Sequence, residues 1–257
     1  MEYALIAAVT LFGAGLTLFS GFGLGTLLMP VFAIFFPIDL AIAMTAIVHF
    51  ANNLIKMGFF YRHINWKIAL RFGIPSIVAA FFGAWLLTRL TGMEALFSYE
   101  AFGRTLSVMP VKLTVALLLI IFALFELIPR LSNLHFDQKF MPVGGLLSGF
   151  FGGLSGNQGA LRSAFLIRAG LTKEAFIATG IVIACLIDIT RLSIYAGSTF
   201  SQIDRSRILL LVIAIASAFT GVLIGNRLLK KITVKALQVI VAIMLLVFSA
   251  LLGSGLL

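Results

Sequence analysis

Three sets of polar residues stand inside otherwise apolar stretches, each at a spacing that chemistry can use. The sharpest is Arg162, just past the break Ser155-Gly156-Asn157-Gln158-Gly159 in the run from Gly145 to Gly170. A guanidinium beside two amides and the freed backbone N–H groups of a restarting helix presents several forked donors, which suits an oxyanion. The dipole at such a helix start adds positive potential. Arg162 is therefore read as the counter-charge for a small anion, with Asn157, Gln158 and Gly159 beside it. A weaker counterpart, Ser20-Gly21-Phe22-Gly23-Leu24-Gly25, lies near the N-terminus, and its Gly23, Gly25 and Thr26 complete the expected binding set. The plainer alternative is an arginine that snorkels to an interface or ties one helix to a neighbouring carboxylate.

The second set is Asp188 and Arg191, three apart on one helix and so on one face,. They can simply neutralise each other. Alternatively, Asp188 takes up a proton when an anion competes for Arg191. The third set is His49, Asn53 and Lys56, an i, i+4, i+7 stripe with Asn52 beside it,. Facing lipid the stripe would be expensive; facing inward it is the polar wall of a path, with His49 able to titrate near neutral pH. One histidine with two amides and a lysine is not a metal ligand set, and no metal or cofactor is expected. Glu126, four before Arg130, reads as an end-of-helix ion pair, and Phe22, Phe150 and Phe151 read as packing near the two breaks.

These residues need a membrane scaffold. Of 257 residues 61% are apolar and 11% charged, with a mean hydropathy of +1.14. Soluble domains run nearer half apolar and a quarter charged, so the composition points to a polytopic membrane protein in a lipid bilayer. The formal net charge of +10 is spread over short connections and forms no basic face, which argues against nucleic acid as a partner,. A single cysteine, Cys185, excludes an internal disulfide framework,. The N-terminal run lacks a basic leader and a small-residue cleavage site, so a retained membrane segment is expected there. No nucleophile–base triad appears, and Gly21–Gly25 lacks the strand–turn–helix context of a nucleotide site, so no enzyme is expected.

The expected architecture is all-α, with eight hydrophobic elements in two repeats, 4–130 and 141–254, each opening with a glycine-broken, re-entrant-like helix. The run Leu5–Phe36 is too long for one span and too short for two,. Further apolar runs lie at 41–60, 68–90, 111–129, 142–168, 174–196, 207–229 and 233–254. Met44–Val48 matches Ala178–Val182, and at the same offset Tyr61 falls on Tyr195 and Gly25 on Gly159; Ile64-Asn65 resembles Ile203-Asp204. If each broken element returns to its own side, one face collects Arg62, Lys67, Arg71, Arg130, Lys139, Arg168, Lys173, Arg227, Lys230, Lys231 and Lys235. The other keeps only Arg89, Arg104, Lys112, Arg205 and Arg207. That asymmetry marks the first face as cytoplasmic, makes the repeats inverted and puts both termini outside.

The stretch SGFGLGTLLMP ending at Pro30, the following Ala41–Val48 with its A-x-x-x-T-A-I-V pattern, and the second opening from Gly145 to Gly180 together resemble the TauE/SafE sulfite-exporter family. The resemblance runs over almost the whole chain. It implies a multi-pass transporter of sulfur-containing anions, such as sulfite, sulfoacetate or another organosulfonate, in a prokaryotic plasma membrane, without cofactor. The second half lacks the family's usual triple glycine and proline-ended run, having Asn157–Ser163 instead, which bears on substrate more than on fold,. The expectation is a secondary transporter, in the export direction and proton-coupled, with Asp188, Arg191, His49, Asn53 and Lys56 along the path. A passive anion channel and a non-transporting membrane partner protein are the rivals. Apolar outer faces suit a monomer and a homodimer equally.

Overall fold

The structure is a computed structural model that describes residues 1–20, 23–132, 134–197, 199–228 and 234–257. Gly21 and Phe22, and Lys230 and Lys231, lie outside these. The chain is almost entirely helical. The first half runs α1 (Glu2–Ser20), α2 (Leu24–Phe35), α3 (Ile38–Phe60) and α4 (Trp66–Thr91), then a hairpin of β1 (Phe97–Ala101) and β2 (Arg104–Val108), then α5 (Pro110–Leu127). A single turn, α6 (Pro129–Ser132), leads to α7 (Met141–Ser155), α8 (Gly159–Leu166), α9 (Lys173–Ala196), α10 (Arg205–Leu228) and α11 (Val234–Gly253). Five helices among the described residues are long and apolar enough to cross a membrane, namely α3, α4, α5, α9 and α10.

Burial is inverted relative to a soluble protein. Asn52, Asp188 and Arg191 have no exposed surface, while Leu70, Ile74, Val78, Phe82 and Trp85 line the outside of α4. That stripe at about four-residue spacing is the face a helix turns toward lipid. The opposite face of α4 is built of small residues and meets α7 at backbone distance. A methyl added at Gly145, Gly149 or Gly153 would overlap the carbonyl oxygens of Phe72, Ser76 and Ala80 in turn, and one at Gly83 would overlap that of Phe150. The pair α1 and α10 repeats this, with Gly221 against the Leu11 carbonyl and Gly225 against Gly15. Small-residue stripes of this kind replace the hydrophobic drive that lipid removes.

Partners are exchanged between the halves: α4 packs on α7 and α10 on α1, while α3 meets α9 and α5 meets α11. The caps of α4 and α10 also correspond. Asn65 accepts from the Ile68 N–H at 3.1 Å, and Asp204 accepts from the Arg207 N–H at 2.9 Å. The backbone N–H of Arg207, together with the Ser206 hydroxyl, holds the exposed Asp204 carboxyl below the usual carboxylate range.

Among the described residues the β1–β2 hairpin is the one departure from the expected all-α architecture. It pairs Phe97 with Val108 and Tyr99 with Leu106. It is tied down where the Tyr99 hydroxyl donates to the Ser254 carbonyl at 2.6 Å. Alternation over two five-residue strands is too short to stand out between long apolar runs.

Gly149→Ala should therefore destabilise the protein by about 1–3 kcal/mol, because the α4 backbone has to retreat. Gly58→Ala on α3, where nothing stands within 4 Å, should be neutral or stabilise by up to about 1 kcal/mol. Thermal unfolding of the two variants in detergent would check the contrast.

Candidate functional site

Both broken helices are present as breaks. α7 stops at Ser155 because Gly156 turns into the left-handed region at φ 79°, where only glycine is unstrained,. Its N–H still donates to the Gly152 carbonyl at 3.0 Å. α8 restarts at Gly159 and runs back beside the start of α7, where Phe165 and Leu166 pack in one cluster with Met141. α2 restarts at Leu24 after α1, with Gly23 extended before it. The two restarts meet, for a methyl at Gly25 would stand 3.6 Å from the Gly156 carbonyl oxygen.

Around this contact α3 and α9 supply a buried network. Asp188 is wholly enclosed, and its two oxygens are divided. One accepts from Arg191 Nε at 3.0 Å and Nη2 at 2.7 Å; the other lies 2.7 Å from His49 Nδ1 and 3.5 Å from Asn53 Nδ2. A carboxylate at Nδ1 places the ring proton there and leaves Nε2 as an acceptor, 3.4 Å from Asn53 Nδ2,. Nε2 faces the break: a side chain at residue 23 would come within 2.9 Å of it, so glycine is required. Arg191 in turn stands under the second break, its Nη1 only 2.7 Å from where a Gly156 side chain would begin. Tyr195 donates its hydroxyl to the Gly153 carbonyl at 2.5 Å, fixing the end of α7. Asp188 and Arg191 thus neutralise each other, and they also brace the breaks.

His49, Asn53 and Lys56 line a cavity together with Thr17, Gly23, Arg162, Phe176 and Gly180. Its volume of about 40 Å³ suits a few waters or one small anion. Lys56 and Arg162 are 4% and 8% exposed. Neither has a carboxylate partner among the described residues: Lys56 Nζ donates to the Thr17 hydroxyl at 3.4 Å, and Arg162 Nη1 has no partner. No acidic side chain lines this cavity. Two buried cations without an anion are costly unless something negative enters with them.

The remaining expected residues divide. Arg162 does not reach back over Gly159; its guanidinium lies along α9 against Gly180. Asn157, Gly159 and Thr26 line a separate cavity with Phe122, Glu126, Ala160 and Leu245. The reason is helical: at about 100° per residue, Ala160 and Arg162 point to nearly opposite sides of α8. Gln158 is packed against Gly152, with both amide atoms unpartnered. Glu126 makes no ion pair with Arg130 among the described residues, contrary to expectation, and lines the same cavity as Asn157. Phe151 packs edge-on against both Phe122 and Phe150.

A third cavity, about 210 Å³, lies at the other end of α3, α4 and α9, lined by Asp39, Thr88, Thr91, Tyr195 and Gln202. Along α9 it is separated from the cationic cavity by the enclosed Asp188 and Arg191. Composition alone does not reveal it, since its lining comes from three helix ends distant in sequence.

Comparison with known families gives a match to the one described as Sulfite exporter TauE/SafE, over residues 5–252. No curated protein and no solved structure gives a match.

Asp188→Asn should cost about 3–5 kcal/mol, because it strands Arg191 without its anion in a buried site. The double change Asp188→Asn, Arg191→Met should recover part of that loss. Thermal unfolding of the single and double variants would check both.

Proposed function

The chain belongs to the sulfite exporter TauE/SafE family, and from that membership we propose that it is a secondary transporter of a small sulfur-containing anion. Membership and the five apolar helices make it an integral membrane protein of a transporter family, not of an enzyme family. The finer reading is ours. The anion, sulfite or an organosulfonate, occupies the cavity of Lys56 and Arg162, and the carrier exports it across the plasma membrane coupled to protons. The observation that carries this is the pair of buried cations that form no salt bridge among the described residues. Thr17, Asn53 and His49 complete the polar lining of that cavity. Asn157, Gln158, Gly159, Gly25 and Thr26 shape the breaks next to it. Asp188 and Arg191 form the inner wall of the path.

Two inverted repeats support alternating access by rocking of one half against the other. The exchanged helix partners, the corresponding caps of α4 and α10, and the two breaks in contact all favour that reading. The cytoplasmic face is then the one bearing Arg62, Lys67, Arg71, Arg130, Lys139, Arg168, Lys173 and Arg227. A carrier is favoured over a channel because cavities at opposite ends are divided by the enclosed Asp188 and Arg191.

Flux into proteoliposomes tests this with sulfite, sulfate, thiosulfate, taurine and sulfoacetate, each with and without a pH gradient. One anion should show saturable flux that the gradient accelerates. Lys56→Met and Arg162→Met should each raise its half-saturation concentration about 10- to 100-fold, the worth of a charged hydrogen bond. Arg162→Met should not lower the thermal midpoint without anion, since an unpaired buried charge is removed. Flux that ignores the gradient and does not saturate would mean a channel. Absence of flux with an unstable Arg162→Met would mean an architectural arginine.

A further inference from the structure

The cavity of Glu126 has no part in the anion site, yet the same two segments line both. Gly23 and Leu24 face the cationic cavity, while Thr26, in the same first turn of α2, faces the other. On α8, Arg162 faces the first and Gly159 and Ala160 the second. Between the cavities lies the contact of Gly25 with Gly156.

The second cavity has room for about one water, roughly 10 Å³,. Among the described residues Glu126 is its sole ionisable lining residue; α2, α5, α8 and α11 otherwise contribute Thr26, Phe122, Gly159, Ala160 and Leu245 to the lining, none of them charged. Arg130, one turn beyond Glu126, is exposed and forms no ion pair with it among the described residues. The first turns of α2 and α8 both border the cavity, so two positive helix ends favour a carboxylate there and disfavour a metal cation. Asn157 supplies the opposite preference. It is 4% exposed and its Nδ2 donates to the Ser155 carbonyl at 3.4 Å, which leaves Oδ1 as an acceptor with no donor. A carboxylate cannot supply that hydrogen; a carboxylic acid can. Thr26 has a hydroxyl there too, but only Glu126 gains and loses a proton.

We propose that Glu126 is a proton-binding site linked to the anion site through the contact of the two breaks. The proposal rests on the anion reading of the Lys56–Arg162 cavity and adds a proton outside the His49–Asp188 network. As a carboxylate, Glu126 draws on the helix ends of α2 and α8. An anion in the neighbouring cavity draws on the same two turns and adds like charge. Binding of the anion therefore favours uptake of a proton from water onto a Glu126 oxygen, which then donates to Asn157 Oδ1. The two ligands travel as a pair.

Two measurements on the purified full chain test this against Glu126→Gln, which keeps shape and a donor. Calorimetric titration with sulfite in buffers of differing ionisation enthalpy gives protons taken up per anion bound; the anion's own titration cancels between wild type and variant. The variant should bind sulfite and take up fewer protons, by at most about one. Equal uptake would overturn the proposal while leaving the transporter reading intact. Infrared difference spectra across pH report the carbonyl stretch of a protonated carboxyl, whether or not sulfite is the right anion. A titrating band present in wild type and lost in Glu126→Gln supports the site, and no such band overturns it. Failure of sulfite to bind wild type, with the band present, would sink the anion reading alone.

Discussion

Backbone that leaves helical geometry inside a bilayer must find its hydrogen-bond partners within the protein, because lipid offers none. Two such interruptions, one per half, are the constraint on which the rest of this structure depends. Each is held by a neighbouring helix brought to backbone distance: α4 against α7 by three glycines in register, α10 against α1 by Gly221 and Gly225. Those approaches fix the breaks deeply enough to touch, at Gly25 and Gly156. The network of Asp188, Arg191 and His49 then fills the space that helical backbone would have taken, with Arg191 under one break and His49 beside the other.

Charge is distributed by the same arrangement. The one carboxylate near the centre is fully engaged on the α3–α9 side, by Arg191 and His49. Lys56 and Arg162 are left facing a cavity, with no direct ion pair to either among the described residues. A structure meant only to be stable gains nothing from this, since apolar residues of similar shape would do as well or better. Hence the cavity, more than any single arginine, carries the functional reading.

Much of this was legible in the residue order. The stripe of His49, Asn53 and Lys56 and the pair Asp188 and Arg191 follow helical spacing, and both proved to be interior faces that pack on each other. The breaks were legible because Ser155–Gly159 cannot continue a membrane helix cheaply. What the order could not reveal was which wall each break residue faces. Arg162 faces one side of the short α8 and Ala160 the other, with Asn157, before the helix start, on the side of Ala160, so one expected site became two cavities. Glu126 was misread for a related reason: its helical neighbour Arg130 is visible in the sequence, whereas Asn157, from a different segment, is not. The hairpin of β1 and β2 is short and lies where composition is mixed, so periodicity had too few residues to register.

The exchange of partners between the halves also bears on how the chain is made. When α1 leaves the translocation machinery, its glycine-matched surface has no mate, and α10 emerges only some two hundred residues later. Until then that groove must be covered by lipid, by a chaperone or by another nascent helix. A half-chain on its own would carry both kinds of surface, the donor on its opening helix and the acceptor on its fourth. Two copies set head to tail would satisfy each other as α1 with α10 and α4 with α7 do within the single chain.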